Sequence, residues 1–138
     1  MPDTIVLSTD GATATISLNR PEVRNAINLR MVEELHAALD GLERRDDVRA
    51  LVLRGAGGKA FASGADISEL RDRRAADARR GINGGLFARL ERFPRPTLAA
   101  ITGVCLGGGC ELALACDFRV AGASSRFGQP EVTLGIMA

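Results

Sequence analysis

Two glycine-rich stretches, GAGGKAFASGAD at 55–66 and GVCLGGG at 103–109, each follow a short apolar run, VRALVL at 48–53 and TLAAI at 97–101. Such runs read as buried strands, and glycine after them lets the backbone turn sharply or meet another group closely. The second stretch leads into CELALACD, which has helical spacing. A strand that ends in bare backbone and feeds a helix, twice in one chain, points to an α/β fold with a parallel or mixed sheet.

The rest of the pattern agrees. Ile5 to Ser8 and Ala12 to Leu18 are β-prone runs separated by Asp10-Gly11, a hairpin signal. Arg20-Pro21 ends the second run. From Asn28 the period changes: Val32, Leu35, Leu39 and Leu42 fall at steps of three and four, predicting an amphipathic helix over Asn28 to Arg45 with Asn28 as N-cap. Val48 to Leu53 is a strand, Gly55 to Gly64 a loop, and 66–92 an Arg-rich helical region broken by Gly81, Gly84 and Gly85 and ended by Pro94 and Pro96. Thr97 to Ile101 is a strand, a helix runs to about Ala115, and Phe118 to Ala121 is the last strand. No internal sequence repeat or linker divides the chain, so residues 1–138 read as one domain.

Composition narrows the function classes. Hydrophobic residues make up 46 %, ordinary for a folded domain. A formal charge of +1 supplies no global attraction to nucleic acid or to an acidic membrane surface. No apolar run reaches membrane-spanning length, and MPDTIVLSTDGA lacks the features of a signal peptide. Cys105, Cys110 and Cys116 include no Cys-x-x-Cys pair and read as reduced thiols of a cytoplasmic protein; packed thiols are favoured over a three-cysteine metal site, because five- and six-residue spacings on a helix do not point all three at one ion.

Neither glycine loop fits a nucleotide motif well. Gly55, Gly57 and Ala60 match a permissive dinucleotide fingerprint, but Phe61-Ala62-Ser63-Gly64 interrupts the helix that should open there. Gly103 and Gly108 have P-loop separation, yet Gly109 and Cys110 replace the required Lys and Ser/Thr. Both loops can be simple tight turns. The alternative is an oxyanion hole: the first N–H groups of a helix lack internal partners, and a glycine there lets a carbonyl oxygen approach. Glu111 lies three residues beyond Gly108 on the same helical face, among Leu106, Leu112, Ala113 and Leu114. An apolar setting would raise its pKa and suit it to acid/base chemistry. On residue chemistry alone, a solvent-facing Glu111 or one capping the helix is an equal reading.

Taken together, LNRPEVRNAIN, FASGADISEL, GGGCELALACD and FGQPEVTLGI, in this order and spacing, resemble the enoyl-CoA hydratase/isomerase (crotonase) family over essentially all 138 residues. The resemblance implies a crotonase-like spiral of β-β-α units, with sheet layers flanked by helices. It also implies that the backbone N–H groups of Ala65 and Gly108 hold the thioester oxygen of an acyl-CoA, with Glu111 and Glu131 as the two catalytic glutamates. Ala26, Ser63, Gly64, Ala65, Asp66, Ile67 and Gly108 would line the CoA and acyl site. CoA would be the substrate's carrier, so no separate cofactor and no metal is implied. Retention of both glutamates favours hydration of 2-trans-enoyl-CoA over an isomerase or a non-catalytic acyl-CoA-binding module. Family members continue beyond TLGIM with further helices that close the pocket and form trimers or hexamers. The resemblance therefore implies that a C-terminal helical part is missing here and that the full-length parent is a homo-oligomer.

The remaining candidates read as structural. His36, the sole histidine, falls on the polar side of its helix. Cys110 could act as a nucleophile at a helix start, though no base is placed for it. The eight arginines of 71–95 read as a solvated face, with contact to CoA phosphates as the alternative.

Overall fold

The computed structural model describes residues 3–74, 76–77 and 80–138. Strands β1 (Ile5–Asp10) and β2 (Thr13–Leu18) form the expected hairpin, antiparallel and with Asp10 opposite Thr13. The two-residue loop is therefore Gly11-Ala12, one position beyond the sequence signal, with Gly11 at φ 56°. A 3-10 turn at Pro21–Val23 precedes α1 (Leu29–Glu43), whose first turn is capped by Asn28 Oδ1 accepting the Met31 N–H at 2.9 Å. The predicted stripe of α1 is buried, with Met31 joining Val32, Leu35, Leu39 and Leu42. It completes a core shared with Ala14, Ile16 and Leu18 of β2 and with Leu51 and Leu53 of β3 (Ala50–Gly55).

After β3 come β4 (Ala60–Ala62), α2 (Ile67–Asp72), α3 (Ile82–Glu91), β5 (Thr97–Ile101), β6 (Val104–Leu106) and α4 (Gly108–Leu114). The chain then forms β7 (Phe118–Ala121), β8 (Arg126–Gly128) and a 3-10 turn at Pro130–Leu134. One sheet has the order β1-β2-β3-β5-β7, parallel from β2 onward; the second, β4-β6-β8, is parallel throughout. The order β3-β4-α2, β5-β6-α4, β7-β8-3-10 shows the β-β-α spiral: each turn adds one strand to each sheet and then a helical segment. This repetition is architectural and left no repeat in the sequence.

Three strands escape the sequence pattern. β4, β6 and β8 have three residues each, too short for a periodic signal, and β4 lies inside the segment read as a loop. The third predicted strand also shifts, ending at Gly55 rather than Leu53. The helical region 66–92 divides into α2 and α3, with Gly81 in left-handed geometry (φ 58°) starting the second; Ala75, Ala78 and Arg79 lie outside the described residues. Successive turns of the spiral meet at bare backbone: a Cβ on Gly103, just after β5, would collide with the Lys59 carbonyl before β4.

Candidate active site

The first half of the site is the segment from Ser63 to Asp66, where β4 runs into α2. Its Gly64 carbonyl accepts the Ile27 N–H at 2.8 Å, the Asp66 N–H reaches Ile27 O at 2.9 Å, and the Ser63 N–H reaches Arg24 O at 3.0 Å. With Ser63 and Asp66 tied on either side, the Ala65 N–H makes no backbone hydrogen bond among the described residues. Asp66 itself caps α2, accepting from Ser68 N–H at 3.1 Å, and pairs with Arg20 at 3.0 Å. The Ser68 hydroxyl and the Arg20 guanidinium hold its carboxyl below the ordinary aspartate range.

The supporting loop has its own anchor. Asn25 is fully buried at φ 55°; its amide donates to Ala56 O and Ala60 O at 3.0 Å each, and its Oδ1 accepts the Arg20 N–H at 2.9 Å. Asparagine tolerates left-handed backbone, and here the side chain satisfies three main-chain groups. Sequence reasoning missed this residue. The available signal was a polar amide after Arg-Pro, just before the helix.

The second half is the β6–α4 junction. The Gly107 N–H donates to Gly128 O at 2.9 Å, and Gly107 O accepts the Glu111 N–H at 3.0 Å. Gly107 sits at φ 52°, ψ −126°, a combination open only to glycine. Gly108, the first residue of α4, has a backbone N–H with no backbone acceptor among the described residues. The two amide nitrogens lie close to one another's segments and line the same cleft. A Cβ on Gly108 would lie 3.6 Å from Ala65 N, and one on Gly64 would lie 3.7 Å from Gly108 N.

Both glutamates border this space. Glu111, on the first turn of α4, is half-buried; burial, and then the negative charge of Glu131, push its carboxyl above the ordinary glutamate pKa. Glu131 enters from the final 3-10 turn, and a Cβ on Gly107 would come within 2.8 Å of its Oε1. With its amide nitrogen turned towards Glu131, Gln129 lies 2.9 Å from both carboxylate oxygens. Gln129 is a second supporting residue that the sequence reading did not single out.

A cleft of about 200 Å³ is lined by Ser63, Gly64, Ala65, Ile67, Gly108, Glu111 and Glu131. Seven of the residues expected from sequence thus meet at one place, although four elements contribute them. Two do not line it: Ala26 is buried, its carbonyl accepting from Arg20 Nη1 at 2.7 Å, and Asp66 serves as cap and ion-pair partner. Leu70, Asn83 and Leu134 join the lining unannounced by the sequence.

The minor candidates lie elsewhere. His36 packs beside Arg89, which donates to its carbonyl at 3.2 Å. The expectation of a solvated arginine face needs correction at Arg89 and Arg95. Arg89 pairs with Asp40 and, at 3.4 Å, with Glu43, while Arg95 donates to Leu42 O at 2.7 Å; both clasp α1. Arg79 falls outside the described residues. Cys105 and Cys116 are buried, and burial pushes their thiols up to about 12 and about 11. Among the described residues no group of three His, Cys, Asp or Glu is arranged to hold a metal, and no helix is long and apolar enough to cross a membrane.

The Ala65 and Gly108 amides, which have no backbone partner among the described residues, and the carboxylates of Glu111 and Glu131 thus border one mostly apolar cleft. Residues 8–138 match the enoyl-CoA hydratase/isomerase family, and the chain belongs to it. It is 43 % identical over 134 residues to the short-chain-enoyl-CoA hydratase of Clostridium acetobutylicum, covering 96 % of this chain and 51 % of that protein. It is 39 % identical over 133 residues to the 2,3-dehydroadipyl-CoA hydratase of Escherichia coli, covering 96 % and 52 %. Among solved structures, enoyl-CoA hydratase from Thermoplasma volcanium superposes with a TM-score of 0.93 at 35 % identity, covering 99 % of this chain and 55 % of that one. The Bacillus anthracis enoyl-CoA hydratase gives 0.92 at 37 % identity, covering 97 % and 53 %. The fold is of the crotonase type, and the chain spans about half the length of the relatives it matches.

Proposed function

We propose that this chain carries the oxyanion hole and both acid/base groups of an enoyl-CoA hydratase, acting on 2-trans-enoyl-CoA thioesters. The observation that carries the reading is the meeting of the Ala65 and Gly108 amides beside Glu111 and Glu131 in one cleft. Water attacks C3 of the enoyl group, the C2–C3 π electrons shift towards the thioester, and its oxygen gains negative charge. Two fixed N–H groups stabilise that charge where it develops, each worth roughly 3–4 kcal/mol in comparable sites. One glutamate takes the proton of the attacking water, and the other delivers a proton to C2, giving the 3-hydroxyacyl thioester.

The raised pKa of Glu111 supports this reading, since a carboxyl shifted towards neutrality exchanges protons more readily at working pH. CoA is the carrier portion of the substrate, and the reaction balances without a further cofactor. The full-length protein would be a homo-oligomer. The reading is tested by following loss of the enoyl thioester absorbance of crotonyl-CoA, comparing the parent with Glu111→Gln and Glu131→Gln. Each change should lower kcat by about 10²-fold or more; activity untouched by both would sink the two-glutamate mechanism.

A further inference from the structure

Asn83 stands on the first turn of α3 and lines the cleft together with Ala65, Gly108 and Glu111. A Cβ built on Gly108 would lie 3.6 Å from Ala65 N, 3.8 Å from Phe87 Cζ and 3.9 Å from Asn83 Nδ2. These are its nearest neighbours outside its own helix. The small volume beside Gly108 is therefore bordered by a main-chain nitrogen, a side-chain nitrogen and the edge of an aromatic ring. The two ends of the Asn83 amide differ in their surroundings. Oδ1 is shut off from solvent and has no hydrogen-bond partner among the described residues, whereas Nδ2 is the end nearer Gly108. Leaving a buried amide oxygen unpaired is costly, so this orientation calls for an explanation. Turning the amide round would bury two N–H donors in place of one oxygen, and would aim an acceptor at the Gly108 side of the cleft. As it stands, the amide presents a donor there.

Resting on the hydratase reading above, we propose that Asn83 is a further catalytic residue, its side-chain N–H a third donor to the thioester oxygen beside the Ala65 and Gly108 amides. Negative charge grows on that oxygen as water adds at C3. A donor fixed beside it therefore stabilises the transition state more than the bound substrate. The main-chain donors come from the β4–α2 and β6–α4 junctions, and Asn83 brings in α3 as the third element of the site. Phe87, one helical turn further along α3, borders the same volume with an apolar edge, and such a neighbour strengthens electrostatic contacts by excluding water.

The test uses the full chain, with crotonyl-CoA for turnover and carbonyl-labelled butyryl-CoA, which has no double bond to hydrate, as a bound probe. Asn83→Leu and the isosteric Asn83→Asp both remove the donor. Each should lower kcat by about 10²-fold or more, the loss seen when one donor of an oxyanion hole is removed, with KM little changed. The infrared C=O stretch of bound butyryl-CoA should fall in frequency on the unmodified chain and fall less on both variants. Asn83→Gln, which keeps a side-chain N–H, should regain part of the shift. A kcat within about threefold of the parent in a folded variant overturns the proposal. So does an unchanged C=O shift beside a lowered kcat, because the amide would then act on another group, Glu111 being the nearest choice in the cleft lining. Should Asn83→Leu not fold, Asn83→Asp decides; should the unmodified chain bind thioesters without turning them over, the C=O shift decides. If crotonyl-CoA is bound or hydrated and the variants match the parent, only the role of Asn83 falls. If neither thioester binds the unmodified chain, the hydratase reading falls and this proposal with it.

Discussion

Glu131 rests its carboxylate against the bare α-carbon of Gly107: a methyl group there would lie 2.8 Å from Oε1. Gly107 also holds φ 52°, ψ −126°, so two independent features demand glycine at this position. Gly107→Ala should destabilise the fold by roughly 1–3 kcal/mol through backbone strain. It should also displace Glu131 and lower kcat by about 10²-fold, as small misplacements of a reacting group do. Urea unfolding and hydration kinetics on the same preparation would read the two effects separately.

Gly108 and Gly109 should part company. A Cβ on Gly108 meets only ordinary contacts, from 3.6 Å outward, but fills the space facing Ala65 N where the thioester oxygen is proposed to sit. Gly108→Ala should keep stability within about 1 kcal/mol of the parent, alanine being the better helix former, while thioester turnover drops sharply. At Gly109 a Cβ would strike the Ala62 carbonyl and lie 2.7 Å from Ala62 Cβ, forcing β4 and α4 apart. Gly109→Ala should cost about 1–3 kcal/mol by overpacking, visible as a lower urea midpoint.

Asn25 is the anchor of the loop that holds Ser63 to Asp66. Asn25→Ala leaves the Ala56 and Ala60 carbonyls and the Arg20 N–H without their side-chain partner and places alanine at φ 55°. A loss of roughly 2–4 kcal/mol is expected from unpaired groups and left-handed strain together. Asn25→Asp should cost at least as much as Asn25→Ala, because a buried carboxylate oxygen would then face the Ala56 and Ala60 carbonyl oxygens with no proton to donate.

Glu111 and Asp66 should give stability profiles of opposite sign. Glu111 has a raised folded pKa, so the folded state binds more protons than the unfolded one between the two values. Its contribution then becomes unfavourable as pH rises from the ordinary glutamate pKa through the raised one. Glu111→Gln should therefore melt higher than the parent at neutral pH, with the gain vanishing in acid. Asp66 has a lowered folded pKa; its contribution is present above the ordinary aspartate value of about 3.9 and is lost as pH falls through the folded value. Asp66→Asn should lower Tm at pH 7 and converge on the parent at low pH. Thermal melts across pH 2–8 would show both trends, and the reverse order at neutral pH would contradict the assigned environments.

The long elements could be read directly from the residues. The stripe Val32, Leu35, Leu39, Leu42 and the cap at Asn28 specify α1 because helical period and capping chemistry are local. The strands of the larger sheet were legible for a similar reason, being long enough or apolar enough to show. β4, β6 and β8 were not, since three residues carry no period and their pairing partners lie tens of residues away.

For the site, helix geometry related Gly108 to Glu111, and the resemblance of the motifs to the family added Ala65 and Glu131. What no local pattern contained was the distance between the Ser63–Asp66 segment and the β6–α4 junction, set by the pairing of β4 with β6 and of β6 with β8. The supporting hydrogen bonds of Asn25 and the setting of Gln129 against Glu131 belong to the same class. By itself the sequence determined which chemical groups are present and which helices and strands carry most of them. Only tertiary structure decided which amides stay free and which carboxylates share a cleft, because those are properties of long-range backbone pairing and burial.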